Sequence, residues 1–201
     1  MTCIVGLKHK DRVYIGGDSA ASDIERLTIN TRADEKVFTS NGIIFGFCSS
    51  FRIGQLIRYS FNPPEQLHSK SDIEYLVTDF IDGIRHTIQS GGSLHKENEN
   101  EQFDSHFVIG YRDNLYVVYN DFQVAQPRDP FVAVGSGEDL AMGAMYATQD
   151  NNDPVERIQI ALEAASAFNM AVRPPYVIVD SKNNYYEAKD DDDDVEEEKP
   201  K

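Results

Sequence analysis

Extended and helical segments come in blocks along this chain rather than in alternation, and that order restricts the fold more than any single motif. Residues 3–7 and 13–17 are apolar runs separated by the polar turn His9-Lys10-Asp11, the pattern of a hairpin. Residues 36–39 and 43–48 flank Ser40-Asn41-Gly42, where Asn-Gly predicts a tight turn. The polar stretch 23–34 reads as a loop with one strand at 26–31. A helix is predicted over 51–59, carrying Phe51, Ile53, Leu56 and Ile57. Pro63-Pro64 breaks the chain, and the capping box Ser71-x-x-Glu74 opens a long amphipathic helix. Ile73, Leu76, Val77, Phe80, Ile84 and Ile88 share its apolar face, and Gly91-Gly92 ends it. Residues 93–102 read as a charged loop.

Strands are predicted again at 106–110, 115–119 and 131–135, then a helix over 139–148. Asp153-Pro154-x-Glu156 caps a second helix that buries Val155, Ile158, Leu162, Ala165 and Phe168. Strands at 176–180 and 185–187 close the pattern. Strands joined by short turns pair antiparallel, and helices grouped in pairs argue against a doubly wound parallel sheet. Two sheets packed face to face with helices outside each satisfy the order, an α+β fold.

A chain of 201 residues with 40% hydrophobic composition suits one domain, or a domain with a tail. Residues 1–188 form the expected domain. Residues 189–201 hold eight acids and three lysines, which predicts a disordered, solubilising acidic tail; the other reading is an interaction tail. The net charge of −15 disfavours nucleic acid and basic membrane-surface contacts. No window reaches the roughly 20 apolar residues of a membrane span, and the N-terminus lacks a signal-peptide pattern. Cys3 and Cys48 lie in apolar runs as free thiols, which suits a reducing, cytoplasmic setting.

The chemistry centres on Thr2. A small residue after Met1 permits methionine removal, leaving a hydroxyl and a free α-amine on one residue. That amine has a pKa of roughly 8, so it can accept the hydroxyl proton: the threonine is a nucleophile with its own base. A strand begins directly after Thr2 and fixes it. Asp18 ends the neighbouring strand, and Lys36 opens the next hairpin. A lysine near a hydroxyl lowers its pKa, and an acid holds that lysine in place. Taken singly, Asp18 is also a common turn residue and Lys36 a common strand end.

Thr2-Cys3-Ile4-Val5-Gly6, Tyr14-Ile15-Gly16-Gly17-Asp18-Ser19-Ala20, Asp34-Glu35-Lys36-Val37-Phe38, Ile43-Ile44-Phe45-Gly46-Phe47 and Val134-Gly135-Ser136-Gly137 occur in that order. This series resembles the HslV and proteasome β-subunit family over about residues 2–187. The resemblance implies a four-layer αββα sandwich of the N-terminal-nucleophile hydrolase type, with two mostly antiparallel sheets between helical layers. It implies Thr2 as nucleophile, Lys36 as the lysine that tunes it, and Asp18 as the acid orienting that lysine. Gly46 matches the oxyanion-binding glycine and Ser136 the serine beside the terminal amine. Where the family carries a supporting aspartate in the last long helix, this chain has Asn169. Ser22 and Cys48 match positions whose backbone pairs with an extended peptide, and Ala21 and Ile44 match the first specificity pocket. The family also implies a homo-oligomeric ring, unfolded protein or peptide as substrate, and a possible ATP-dependent unfoldase.

No metal or organic cofactor is expected. The five histidines show no ligand spacing, and neither glycine pair makes a phosphate loop. Two other functions fit the same fold: a ring or scaffold subunit without catalysis, and an amidase acting on a small acyl compound.

Overall fold

The computed structural model describes residues 2–23, 26 and 28–188; the acidic tail lies outside them. Two five-stranded antiparallel sheets form the centre. The first has the order β12 (Phe131–Gly135), β1 (Cys3–His9), β2 (Arg12–Gly17), β13 (Tyr176–Asp180), β14 (Tyr185–Ala188). The second runs β11 (Val124–Ala125), β10 (Asn114–Val118), β9 (Ser105–Tyr111), β6 (Ile43–Ser49), β5 (Val37–Ser40). Asn41 and Gly42 both take positive φ, 51° and 75°, the conformation that a two-residue β5–β6 turn of the expected kind requires.

Both faces of β1 are buried, which is why its sequence is a continuous apolar run and not an alternation. Cys3, Val5 and Leu7 face a cluster shared with α4 (Glu138–Ala147) and α5 (Pro154–Phe168). Ile4 points the other way, into a cluster with Ile15, Val37, Cys48 and Val108 that joins the two sheets. β6 alternates likewise. Phe45 and Phe47 pack against α1 (Phe51–Ser60) and α3 (Ile81–Ser90), while Ile44 and Cys48 face the first sheet. Each such aromatic, fully buried, contributes about 1.5–3 kcal/mol.

The caps predicted at Ser71 and Asp153 form, and one at Ser50 adds to them. Ser50 Oγ accepts from Ile53 N–H at the start of α1. Ser71 and Glu74 make the reciprocal capping box that opens α2 (Asp72–Tyr75). The expected apolar face of the following helix is only partly buried. Leu76, Phe80, Ile84 and Ile88 are inside, but Ile73 and Val77 are 38% and 46% exposed. Leu76–Phe80 is a π-helical stretch, and its wider turn rotates the first residues off the core face. Phe168, expected inside, is 82% exposed because it is the last residue of α5, beyond the sheet it packs on. Residues 93–102 are not a plain loop: β7 (Leu94–Glu97) and β8 (Asn100–Phe103) pair around Asn98 and Glu99, both at positive φ. A short pair, β3 (Ala20–Asp23) with β4 (Thr28–Thr31), stands where mostly loop was expected.

Candidate active site

Thr2 sits immediately before β1, 2% exposed, between the ends of β2 and β12. Its backbone N–H donates to Ser136 Oγ at 3.2 Å. The Ser136 hydroxyl donates to the Thr2 carbonyl at 3.4 Å, and Gly137 N–H reaches the same carbonyl at 3.4 Å. The glycines around Ser136 permit this approach. Gly135 has φ +101°, and a Cβ there would collide with the Thr2 carbonyl oxygen. A Cβ on Gly137 would press on Cys3 and Ala165.

The β1–β2 register sets Ile4 opposite Gly17, which carries Asp18 to Cys3. Asp18 receives four donors. Its Oδ1 accepts Cys3 N–H and Lys36 Nζ, each at 2.9 Å. Its Oδ2 accepts Ala20 N–H at 3.0 Å and Arg173 N–H at 3.4 Å. The Asp18 and Lys36 side chains are 0% and 1% exposed. Burial holds the Lys36 ammonium below the ordinary lysine range, with Asp18 acting against that shift. Burial pushes the Cys3 and Cys48 thiols up, and Asp18 adds to the effect at Cys3. Both therefore remain protonated thiols and small apolar fillers.

Asn169 caps the C-terminus of α5. Its Nδ2 donates to the Ser136 carbonyl at 2.7 Å and its Oδ1 accepts Ala171 N–H at 3.0 Å, so both amide ends have complementary partners. A carboxylate could not make the first bond. The amide at this position thus donates to the turn that bears Ser136.

The structure gathers Thr2, Asp18, Lys36, Ser136 and Asn169 by these contacts. Cys48 lies beside them, its Cβ 3.3 Å from where a Cβ on Gly135 would stand. Ile44 is elsewhere, near Val13 and Gly110 toward the other end of β6. Gly46 lies mid-strand between Val37 and Val108, with Ile4 and Ile15 over its face. Phe47 N–H bonds to Lys36 O, so strand alternation turns the Gly46 N–H toward β9 and away from β5. Ala21 and Ser22 are half-buried on β3, opposite Asn30 and Ile29. The Arg173 N–H and Ala20 N–H that complete the Asp18 shell were not legible as site groups, since backbone donors leave no residue-type signal. The Phe51 ring beside Lys36 Nζ (5.8 Å) and under the Arg32 guanidinium (4.2 Å) was likewise hidden in a helix start. Among the described residues no group of three His, Cys, Asp or Glu could hold a metal ion, and no helix is long and apolar enough to cross a membrane.

No family model matches the chain. It is similar to the ATP-dependent protease subunit HslV of Caldicellulosiruptor saccharolyticus, 23% identical over 171 residues, covering 83% of this chain and 90% of that one. It is also similar to the ATP-dependent protease subunit HslV of Rickettsia bellii, 20% identical over 182 residues, with 90% and 94% covered. Among solved structures, Thiobacillus denitrificans BPH in complex with epoxomicin superposes with a TM-score of 0.72 at 18% identity, covering 94% of this chain and 100% of that one. Over most of its length the chain is thus similar in sequence to HslV protease subunits, and it shares the fold of the BPH structure.

Proposed function

We propose that this chain is a threonine-type endopeptidase that uses Thr2, exposed by removal of Met1, as its nucleophile. The observation that carries the reading is the buried Lys36–Asp18 pair, whose carboxylate also binds the N–H of the residue after Thr2. A buried ion pair is costly to maintain for stability alone. Placed at the strand start that bears a hydroxyl, it has a use in chemistry. The Thr2 hydroxyl attacks a peptide carbonyl while the Thr2 amine, held by Ser136, takes its proton directly or through a water. Lys36 favours the developing alkoxide electrostatically. Because strand alternation turns the N–H groups of Gly46 and Cys48 toward β9 and that of Ser49 away from it, we assign the oxyanion to the Ser49 N–H at the end of β6. An acyl ester forms, the amine product leaves, and water completes hydrolysis.

The same reading takes residues 1–188 as a four-layer αββα catalytic domain followed by an acidic tail. It places the chain in a cytoplasmic homo-oligomeric ring acting on unfolded protein, with a possible ATP-dependent unfoldase; the HslV relatives named above, ATP-dependent protease subunits, support this part. The test is intact mass after incubation with epoxomicin, the compound bound in the related BPH structure. Loss of Met1 plus one adduct, absent in Thr2→Ala, is the expected result. Retained Met1, or no adduct, refutes the reading and favours a scaffold subunit. An adduct with turnover of small amides but not of peptides favours the amidase.

A further inference from the structure

The charge balance of the site changes at α5. Asn169 is uncharged, and its two polar amide atoms are taken up by the Ser136 carbonyl and the Ala171 N–H. A carboxylate stands on the other side of the same turn. Glu138 opens α4, and its Oε2 accepts the Gly135 N–H at 3.2 Å, folding the side chain back over Gly135-Ser136-Gly137. Gly135 lies against the Thr2 carbonyl, and Ser136 Oγ holds the Thr2 nitrogen. The charge of Glu138 reaches both thiols that flank the nucleophile: burial is the main cause that pushes Cys3 and Cys48 up, and Glu138 adds to it at each.

The other ionisable groups around Thr2 do not supply a free negative charge. Asp18 is matched by Lys36. Cys3 and Cys48 stay protonated. The Arg173 guanidinium is turned to the carbonyls of Ser166, Asn169 and Val172 at the end of α5. Among the described residues no cation pairs with Glu138.

We propose that Glu138 is the counter-charge of the Thr2 α-ammonium, a positioning residue that braces the turn through Gly135 and stabilises the amine after it has taken the hydroxyl proton. This rests on the reading of Thr2 as an N-terminal nucleophile. A nearby anion favours the protonated amine, so it raises the amine pKa above the usual value of about 8. Glu138→Gln keeps an acceptor for Gly135 N–H and removes only the charge.

The experiment uses the full chain beginning at Thr2, verified by intact mass, with folding checked by circular dichroism. The α-amine is titrated by the pH dependence of its acylation in wild type and E138Q, and epoxomicin adduct formation is followed on the same samples. The amine midpoint is expected to fall by about half a pH unit in E138Q. The acid limb of the adduct rate moves down by the same amount. The gap between the proteins narrows from about 0.1 M to 1 M salt, because screening acts on charge and not on packing. Coincident amine titrations, or a gap indifferent to salt, overturn the assignment. If the titrations differ and neither protein forms an adduct, Glu138 is still the counter-charge of the amine, but the peptidase reading and the part in proton transfer fall. If both form adducts with the same pH profile, the peptidase reading stands and the role of Glu138 falls.

Discussion

Asp18→Asn tests the centre of the site. All four groups that meet the Asp18 carboxylate are donors: Cys3 N–H and Lys36 Nζ on Oδ1, Ala20 N–H and Arg173 N–H on Oδ2. An asparagine NH₂ group finds no acceptor in either position, and the Lys36 ammonium, 1% exposed, loses its partner. Removing one member of a buried pair costs about 3–5 kcal/mol. With a urea slope of about 2 kcal/mol/M, the unfolding midpoint falls by about 1.5–2.5 M. Far-UV circular dichroism at fixed protein concentration measures it, which the absence of tryptophan makes preferable to fluorescence. The deficit should shrink as pH rises from 7 toward 10.5. Burial already lowers Lys36, and losing the Asp18 charge lowers it further, so the unfolded chain binds more protons in that window and stability climbs with pH. Adding Lys36→Met removes the stranded charge and should recover at least about 1 kcal/mol relative to D18N. A midpoint within about 0.5 M of wild type, or a double variant no more stable than D18N, refutes this account of the pair.

One further substitution and one reagent probe the surroundings. Gly135→Ala places a side chain at φ +101° against the Thr2 carbonyl, and should cost at least about 2 kcal/mol by thermal unfolding while slowing adduct formation. An alanine variant as stable as wild type contradicts the close approach. Cys3 and Cys48 should resist iodoacetamide in the native protein at pH 8.5 and react once urea unfolds it, read by mass. Because their folded values are raised, they stabilise the fold below the unfolded value near 9.0, and that contribution is lost as pH climbs above it. Rapid native alkylation refutes the burial argument.

Much of the fold was legible in the sequence because punctuation residues carry local physics. Asn41-Gly42, the Ser71–Glu74 box and Asp153-Pro154 each specify backbone geometry within a few residues. What the sequence concealed depends on the third dimension. The π stretch at Leu76–Phe80 leaves no mark in composition, yet it decides that Ile73 and Val77 face out. The β7–β8 hairpin turns on Asn98-Glu99, a pair without glycine. In the site, Thr2, Asp18, Lys36 and Ser136 could be named from residue type and motif order, and the structure brings them into contact. Ile44 and Gly46 could not be aimed from sequence, since strand alternation decides direction and a one-residue difference reverses it. Glu138 was overlooked because an acid in the first turn of a helix is ordinary.

The bonds that hold Thr2 span the chain. Ser136 is 134 residues away in sequence, Asn169 supports Ser136, and Arg173 completes the shell of Asp18. A fragment that stops before Ser136 and Arg173 lacks the contacts that fix Thr2 and complete the Asp18 shell, 134 and 155 residues along the chain. The arrangement around Thr2 therefore forms only when distant parts of the domain have met, and on the proposed function a partly folded chain holds its threonine unarmed.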